Sequence, residues 1–324
     1  MMKLSRRAAL GVFPALAATG IARAADYPDK PIRLVVPFAP GGNADLTGRL
    51  FAEAMGKRLG QQVIVDNRGG AGGAIGAEQV AKSAPDGYSI VLGSTGTFLV
   101  SPRMTGGKPP YTLASFAPVG LLSTSPMDIV MNASNPIKDW PALLASLKAN
   151  PGKITIGHPG NGSTNHLAIL RLQQAAGVKF NVIPYKSNGP ALNDLLAGLI
   201  DAVMDQIPAS IGHVREGRLT AVAVTTRKRA RELPDVATLA ERGVTDFDAT
   251  TPLYLMAPAG TPAEIVNKLN ATVAAAIADP ALAKREAELG ADVEALSVAD
   301  VTAMLHKEDE AIVEFEKAGL LKTE

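Results

Sequence analysis

The chain has 324 residues, 47% of them hydrophobic and 19% charged, with a formal net charge of +1. That length predicts two compact units, and near-neutral charge with only 4% aromatic residues excludes a nucleic-acid surface built on basic patches or base stacking. Cysteine is absent and the four histidines (158, 166, 213 and 306) are scattered, so neither disulfides nor a structural zinc site is expected.

The first residues read as a targeting segment. Lys3, Arg6 and Arg7 precede an apolar stretch from Ala8 to Ile21, and Ala22-Arg23-Ala24 is a small-x-small cleavage site. A signal peptide over residues 1–24, cut after Ala24, marks the chain for export. Sec export fits better than the twin-arginine route suggested by Arg6-Arg7. The stretch contains Gly11, Pro14 and Gly20 and falls short of the about 20 residues a membrane helix needs. No Cys stands beside the cleavage site, so no lipid anchor is expected.

Short apolar strands then alternate with amphipathic helices, the pattern of parallel α/β sheets. Strands are predicted at Ile32–Phe38, Val63–Val65 and Ser89–Leu92, with helices at Asp45–Leu59 and Ala74–Ser83. Gly60 stands where a helix C-cap belongs, and Pro85-Asp86-Gly87 is a turn. A second unit has strands at Asp128–Met131, Ile154–Gly157, Asn181–Ile183, Ala202–Met204 and Leu219–Thr225. Its helices are Asp139–Ala149, Ser163–Ala176 and Pro190–Leu199. After a strand at Leu253–Ala257 the tail is helical, with a capping box at Thr261-Pro262-Ala263-Glu264, a helix opened by Asp279-Pro280 and a last one capped by Ser297. The tail reads as a return to the first lobe. This divides the mature chain into 25–124 and 250–324 in one lobe and 125–249 in the other, with crossings near Ser123–Pro126 and Asp248–Pro252.

The segment Val-Pro-Phe-Ala-Pro-Gly-Gly-Asn-Ala-Asp (36–45) is a strand, a glycine turn and a helix start. Unpaired backbone N–H groups converge there at the positive end of a helix, a ready site for a carboxylate. The same grammar returns in Gly157–Ala168. Ligands in open α/β units bind outside the carboxyl ends of strands. The loops so placed are 39–44, 93–97, 158–163, 185–189 and 205–208. Asp45 is an odd residue beside an anion: it either stabilises its own helix start or accepts from a ligand hydroxyl, amine or water. Ser163 lacks the glycine that a nucleophile elbow needs two residues later, and His166 lies on the same helical turn rather than opposite. The Gly69–Gly76 run fails the dinucleotide spacing, because its last glycine position is occupied by Ile75. No cofactor is expected. The basic run Arg227–Arg231 reads as an exposed helix start or loop.

An ordered set of motifs extends this reading from Tyr27 to Leu321: YPDKPIRLVVPFAPGGNAD, VDNRGGAGGAIGA, APDGYSI, NPGKITIG, GSTNHLA, PYKSNGPALNDLLAG, LPDVATLAERG and APAGTP. The chain resembles the substrate-binding proteins of tripartite tricarboxylate transporters, also called the Bug family of periplasmic receptors. The resemblance implies an α/β, two-lobed, Venus-flytrap fold of type II-like kind, each lobe a mostly parallel sheet flanked by helices. It implies a carboxylate held through backbone N–H groups and waters of the first loop, here Phe38, Pro40, Gly41, Gly42 and Asp45. Ser94, Thr95 and Thr97 after the third strand, and Ser163, His166, Tyr185 and Asp205 in the second lobe, complete the implied cleft. The chain departs from the family pattern at His158-Pro159, Ser187-Asn188 and Met204-Asp205, near the ligand's distal end.

The expectation is therefore a monomeric, non-enzymatic receptor that delivers a small mono- or dicarboxylate to membrane subunits of a tripartite transporter. Amino acids enter if Asp45 meets an ammonium, and aromatic acids if His158, His166 and Tyr185 line the distal wall. An exported hydrolase using Ser163 and His166, and a receptor serving a signalling sensor, are the competing readings.

Overall fold

The computed structural model describes residues 27–105 and 107–321. The expected signal peptide, residues 1–24, lies outside the described residues. A first βα series comprises β1 (Ile32–Val36), α1 (Asn43–Leu59), β2 (Val63–Asn67), α2 (Ala74–Ala81) and β3 (Ser89–Ser94). The long strand β4 (Phe116–Asn132) follows. A second series comprises α3 (Trp140–Ala149), β5 (Thr155–His158), α4 (Thr164–Ala176), β6 (Asn181–Pro184), α5 (Asn188–Leu196), β7 (Ala202–Gln206), α6 (Ile207–Arg215) and β8 (Leu219–Val224). The chain finishes with β9 (Thr250–Pro258), α7 (Ala263–Ile277), α8 (Pro280–Leu289) and α9 (Val298–Lys317).

The strand order is β2-β1-β3-β9-β4-β7-β5-β6, with β8 also on β4. The outer pairs, β1 with β2 and β3, and β5 with β6 and β7, are parallel. Every pair involving β4 or β9 is antiparallel, so both halves are mixed sheets. The cause is β4 itself. Its first part, Phe116–Pro126, pairs with β9, and its last part, Met127–Asn132, lies between β7 and β8. One strand thus belongs to two sheets, and β9 returns beside it, with Ser125 opposite Thr251 and Pro126 opposite Thr250.

Side-chain alternation gives each sheet two buried faces. Leu34 and Leu255 pack with Phe51, Met55 and Leu269 on one face of the first sheet, while Val35 and Tyr254 pack with Leu99 and Leu305 on the other. In the second sheet Met204 packs with Trp140 and Leu172, and Val203 with Leu192 and Ile211. Each fully buried aliphatic or aromatic side chain of this kind stabilises the fold by about 1.5–3 kcal/mol.

Several predicted boundaries shift for local reasons. Helix α1 starts two residues before Asp45, because Gly42 is the extended N-cap (φ −93°, ψ 173°). Residues 116–127 were not expected as strand, since Pro118 and Pro126 lack an N–H; register shifts at 118–120 and 121–123 accommodate the irregularity. Helix α6 was also unexpected, although Pro208 stands in its first turn, where proline is tolerated. The predicted capping box at Thr261 does not form. The Thr261 hydroxyl donates to the Pro258 carbonyl at 2.7 Å, and Pro262 is the N-cap without a side-chain bond. Ser297 and Asp300 do form a reciprocal capping box on α9.

Candidate functional site: a cleft of helix N-termini

Four helices begin around one small cavity of about 30 Å³. Its lining includes the N-cap residue of each: Gly42 of α1, Ser163 of α4, Ser187 of α5 and Gln206 of α6. The first N–H groups of a helix have no intrahelical partner, and the helix dipole makes that end positive. Among the described residues no ionisable side chain lines the cavity. Loops of the two sheets meet over it: the Ala39 N–H donates to the Lys186 carbonyl at 3.1 Å, and the Gly96 N–H to Thr164 Oγ1 at 3.1 Å. Thr164 Oγ1 in turn donates to Ser94 Oγ at 3.0 Å. A Cβ on Gly96 would sit 2.3 Å from the Thr164 nitrogen, so only glycine permits this approach.

The first loop divides its residues between lining and bracing. Phe38 and Gly42 line the cavity, together with Asn43 and Ala44, which the sequence reading did not single out. Both fall in the loop 39–44 that the sequence marks, and they are the first two residues of α1, where N–H groups are free. Pro40 and Gly41 are exposed at the rim, with Gly41 at φ +90°. The Gly41 N–H is already used, donating to Asp45 Oδ2 at 3.1 Å. Asn67 Nδ2 donates to Asp45 Oδ1 at 2.9 Å, and the Arg49 guanidinium pairs with the same carboxylate at 2.9 Å. Burial pushes the Asp45 pKa up, but bonds from Arg49, Asn67 and Gly41 outweigh it and hold the carboxyl below its usual range.

After β3, Ser94 lines the cavity. Thr95 donates to Glu308 Oε2 of α9 at 2.8 Å, and buried Thr97 lies against Gly73 at the start of α2. A π-helical turn, wider than an α-helical one, runs through Gly96–Val100 beside both threonines.

In the second series Ser163 is an N-cap whose Oγ accepts the His166 N–H at 3.2 Å. The His166 ring accepts the Gly162 N–H through Nδ1 at 3.2 Å and stacks on His158, with centroids 4.6 Å apart and planes at 17°. Burial pushes His166 down to about 4; burial, with the His166 charge added, pushes His158 down to about 3. Ser163 Oγ and His166 Nδ1 therefore accept from different main-chain groups, and the ring faces a separate groove beside Leu170 and Phe180. Tyr185 lies outside the cavity and donates to Asp194 Oδ2 at 2.8 Å; burial first, then Asp194, pushes the phenol up to about 12.

Asp205 stands opposite Asp128 across β7 and β4, both fully buried. Burial pushes Asp128 up to about 7, and burial plus the Asp128 charge raises Asp205 well above the usual carboxylate range. Asp205 accepts from Asn188 Nδ2, behind the cavity, while its neighbour Gln206 lines it. Of the twelve residues singled out from sequence, Phe38, Gly42, Ser94 and Ser163 meet at the cavity; Asn43, Thr164, Ser187, Asn188, Gln206 and Thr251 join them.

Residues 47–314 match the family described as tripartite tricarboxylate transporter family receptor. The chain belongs to that family. BugT of Bordetella pertussis is 37% identical over 286 residues, covering 88% of each chain. The solved structure of the periplasmic binding protein BugD is 38% identical with a TM-score of 0.86, covering 92% of this chain and 100% of that one. MatC from Rhodopseudomonas palustris, solved with bound malate, is 31% identical with a TM-score of 0.85, covering 91% and 100%. The receptor thus has the two-lobed α/β architecture of periplasmic binding proteins of type II-like kind.

Two wider grooves of about 570 and 700 Å³ lie elsewhere on the receptor. The first runs between Tyr111, Phe116 and Leu305, and the second beside Tyr185 and Gly70. Neither is lined by an α-helix N-cap, so size alone does not select the ligand site. Among the described residues no group of three or more His, Asp or Glu is placed to hold a metal, and no helix is long and apolar enough to cross a membrane.

Proposed function

We propose that this receptor captures a small carboxylate in the cleft between its lobes and delivers it to the membrane subunits of a tripartite tricarboxylate-type transporter. The observation that carries this reading is the convergence of four α-helix N-caps on one cavity without an ionisable side chain. Each helix end contributes about 0.3–1 kcal/mol toward a bound carboxylate, more where water is excluded. Backbone N–H groups at Gly42, Asn43 and Ala44 hold one carboxylate, with Ser94, Ser163 and Ser187 supplying hydroxyls. Pro40, Gly41, Asp45, Thr95, Thr97, His166, Tyr185 and Asp205 shape the loops rather than touch the ligand. The bound malate of the related MatC supports a carboxylate of that size class.

The lobes in this reading are 25–124 with 250–324, and 125–249. They hinge on the antiparallel run where Ser123–Pro126 lies beside Thr250–Leu253. The receptor is periplasmic after cleavage near Ala24, is not an enzyme, and sediments as a monomer at micromolar concentration. A thermal-shift panel of mono- and dicarboxylates, amino acids, aromatic acids and neutral sugars tests the ligand class. A bound acid at about 100 times its dissociation constant stabilises the protein by about 2.7 kcal/mol. Stabilisation by sugars with none by carboxylates would refute the reading.

A further inference from the structure

Asn188 lines the cavity, and the bonds behind it determine which amide atom it presents. The chain of bonds starts at a main-chain carbonyl, which can only accept. Asn165 Nδ2 donates to the Met204 carbonyl at 2.8 Å, so Asn165 Oδ1 is the acceptor end of that amide. It receives Gln206 Nε2 at 2.7 Å, and the same Nε2 donates to Thr251 Oγ1 at 3.1 Å. Gln206 Oε1 is therefore an acceptor too, and Asn188 Nδ2 donates to it at 2.9 Å. The second Nδ2 hydrogen goes to Asp205 Oδ1. Both donors of Asn188 are used, and its Oδ1 is left buried without a partner on a side chain only 2% exposed.

An oriented, buried acceptor of this kind favours a ligand that brings a hydrogen-bond donor. Charge decides which donor. Among the described residues no acidic side chain lines the cavity, four positive helix ends surround it, and the carboxylate of Asp45 is already paired with Arg49. An ammonium would be buried there without a counter-charge; a hydroxyl is neutral and fits. Two further polar atoms on the lining lack partners: Ser187 Oγ, and Asn43 Nδ2, whose amide accepts from Ser125 through Oδ1 at 3.3 Å. They supply donors to the ligand's oxygen atoms.

We infer that the ligand is a small hydroxycarboxylate whose hydroxyl donates to Asn188 Oδ1, a reading that rests on the carboxylate-receptor function above. The test is calorimetric titration of the mature chain with two matched trios: lactate, propionate and alanine, then malate, succinate and aspartate, the chiral acids in both hands. In at least one trio the hydroxy acid is expected to bind about tenfold or more tighter than its deoxy and amino counterparts. In Asn188→Ala the ratio of hydroxy-acid to deoxy-acid affinity should fall to about one, whatever the absolute affinities. If Asn188→Ala does not fold, the comparison on the unaltered chain decides alone. A deoxy acid that binds as tightly as its hydroxy analogue overturns the inference and leaves the carboxylate receptor standing. An amino acid preferred over both overturns it by showing that an ammonium is accepted. Binding of no acid from either trio overturns the inference, and the wider thermal-shift panel above then decides the carboxylate reading by itself.

Discussion

The Asp45 carboxylate folds back over the start of its own helix and accepts the Gly41 N–H at 3.1 Å. The negative charge at the start of α1 is thereby taken up by protein donors and does not line the cavity. Arg49 and Asn67 close the arrangement from the other side, and Asn67 also donates to the Phe38 carbonyl at 3.0 Å. Asp45→Ala should cost about 1–3 kcal/mol of stability in urea unfolding at pH 7, because it leaves several donors without their acceptor. The folded pKa is depressed, so the contribution is complete above the ordinary value of 3.8 and fades as pH falls through the lower folded value. Unfolding curves of both proteins should converge only under strong acid. Convergence already at pH 5 would show that the carboxylate is not held this way.

Gly41 and Gly42 should answer differently to the same substitution. Gly41 sits at φ +90°, so Gly41→Val strains the backbone by about 1–2 kcal/mol and lowers stability. Gly42 has φ −93° and the nearest atom to an added Cβ is Asn188 N at 3.6 Å. Gly42→Val should therefore fold normally while its methyl groups fill the gap between the lobes. Carboxylate affinity should drop about 10–200-fold, measured by calorimetry. Full affinity in a folded Gly42→Val protein would move the site elsewhere.

The Asp128–Asp205 pair destabilises the second lobe as pH rises rather than as it falls. Both folded pKa values are raised, so the folded state keeps a proton that the unfolded chain releases. Stability then falls as pH rises from 3.8 through about 7. In Asp128→Asn the amide can donate to Asp205, and Ser210, which donates to Asp128 Oδ2 at 3.0 Å, keeps an acceptor. Thermal melts should show this variant gaining on the order of 1 kcal/mol over the parent at pH 8, with the gain shrinking steadily as the pH is lowered toward 3.8. Equal loss at both ends of that range would mean that the pair is held ionised.

His158 and His166 titrate in the opposite sense. Their folded pKa values, about 3 and about 4, lie below the ordinary 6.5, so their stabilising contribution is complete above 6.5 and is lost as pH falls toward those values. Both rings should remain neutral at pH 5.5, which nitrogen-detected NMR of the imidazoles reads directly. Titration near 6.5 of the resonances assigned to His158 and His166 would contradict the stacked, dry geometry.

Locally coded features were legible in the chain alone. Gly60 and Gly290 terminate their helices in the left-handed conformation, Asp139 and Ser297 cap theirs, and the glycine turn before α1 opens on the cavity. These depend on residues within one turn of each other, so sequence order carries them. The tertiary structure alone decided which partners meet across distance. Strand β4 is 17 residues long in spite of Pro118 and Pro126, because β9, more than a hundred residues on, supplies its hydrogen bonds. Gln206 bonds Thr251, 45 positions away, and Asn165, 41 positions away; its sequence position places it in a candidate loop, 205–208, but does not distinguish it from Asp205. Asp205 and Gln206 are adjacent, and the period of two along a strand sends one toward Asp128 and the other toward the cavity. Which of the two faces the cleft depends on how β7 is set against β4. That is a long-range packing choice, made where the Val203 and Met204 faces each find their own core.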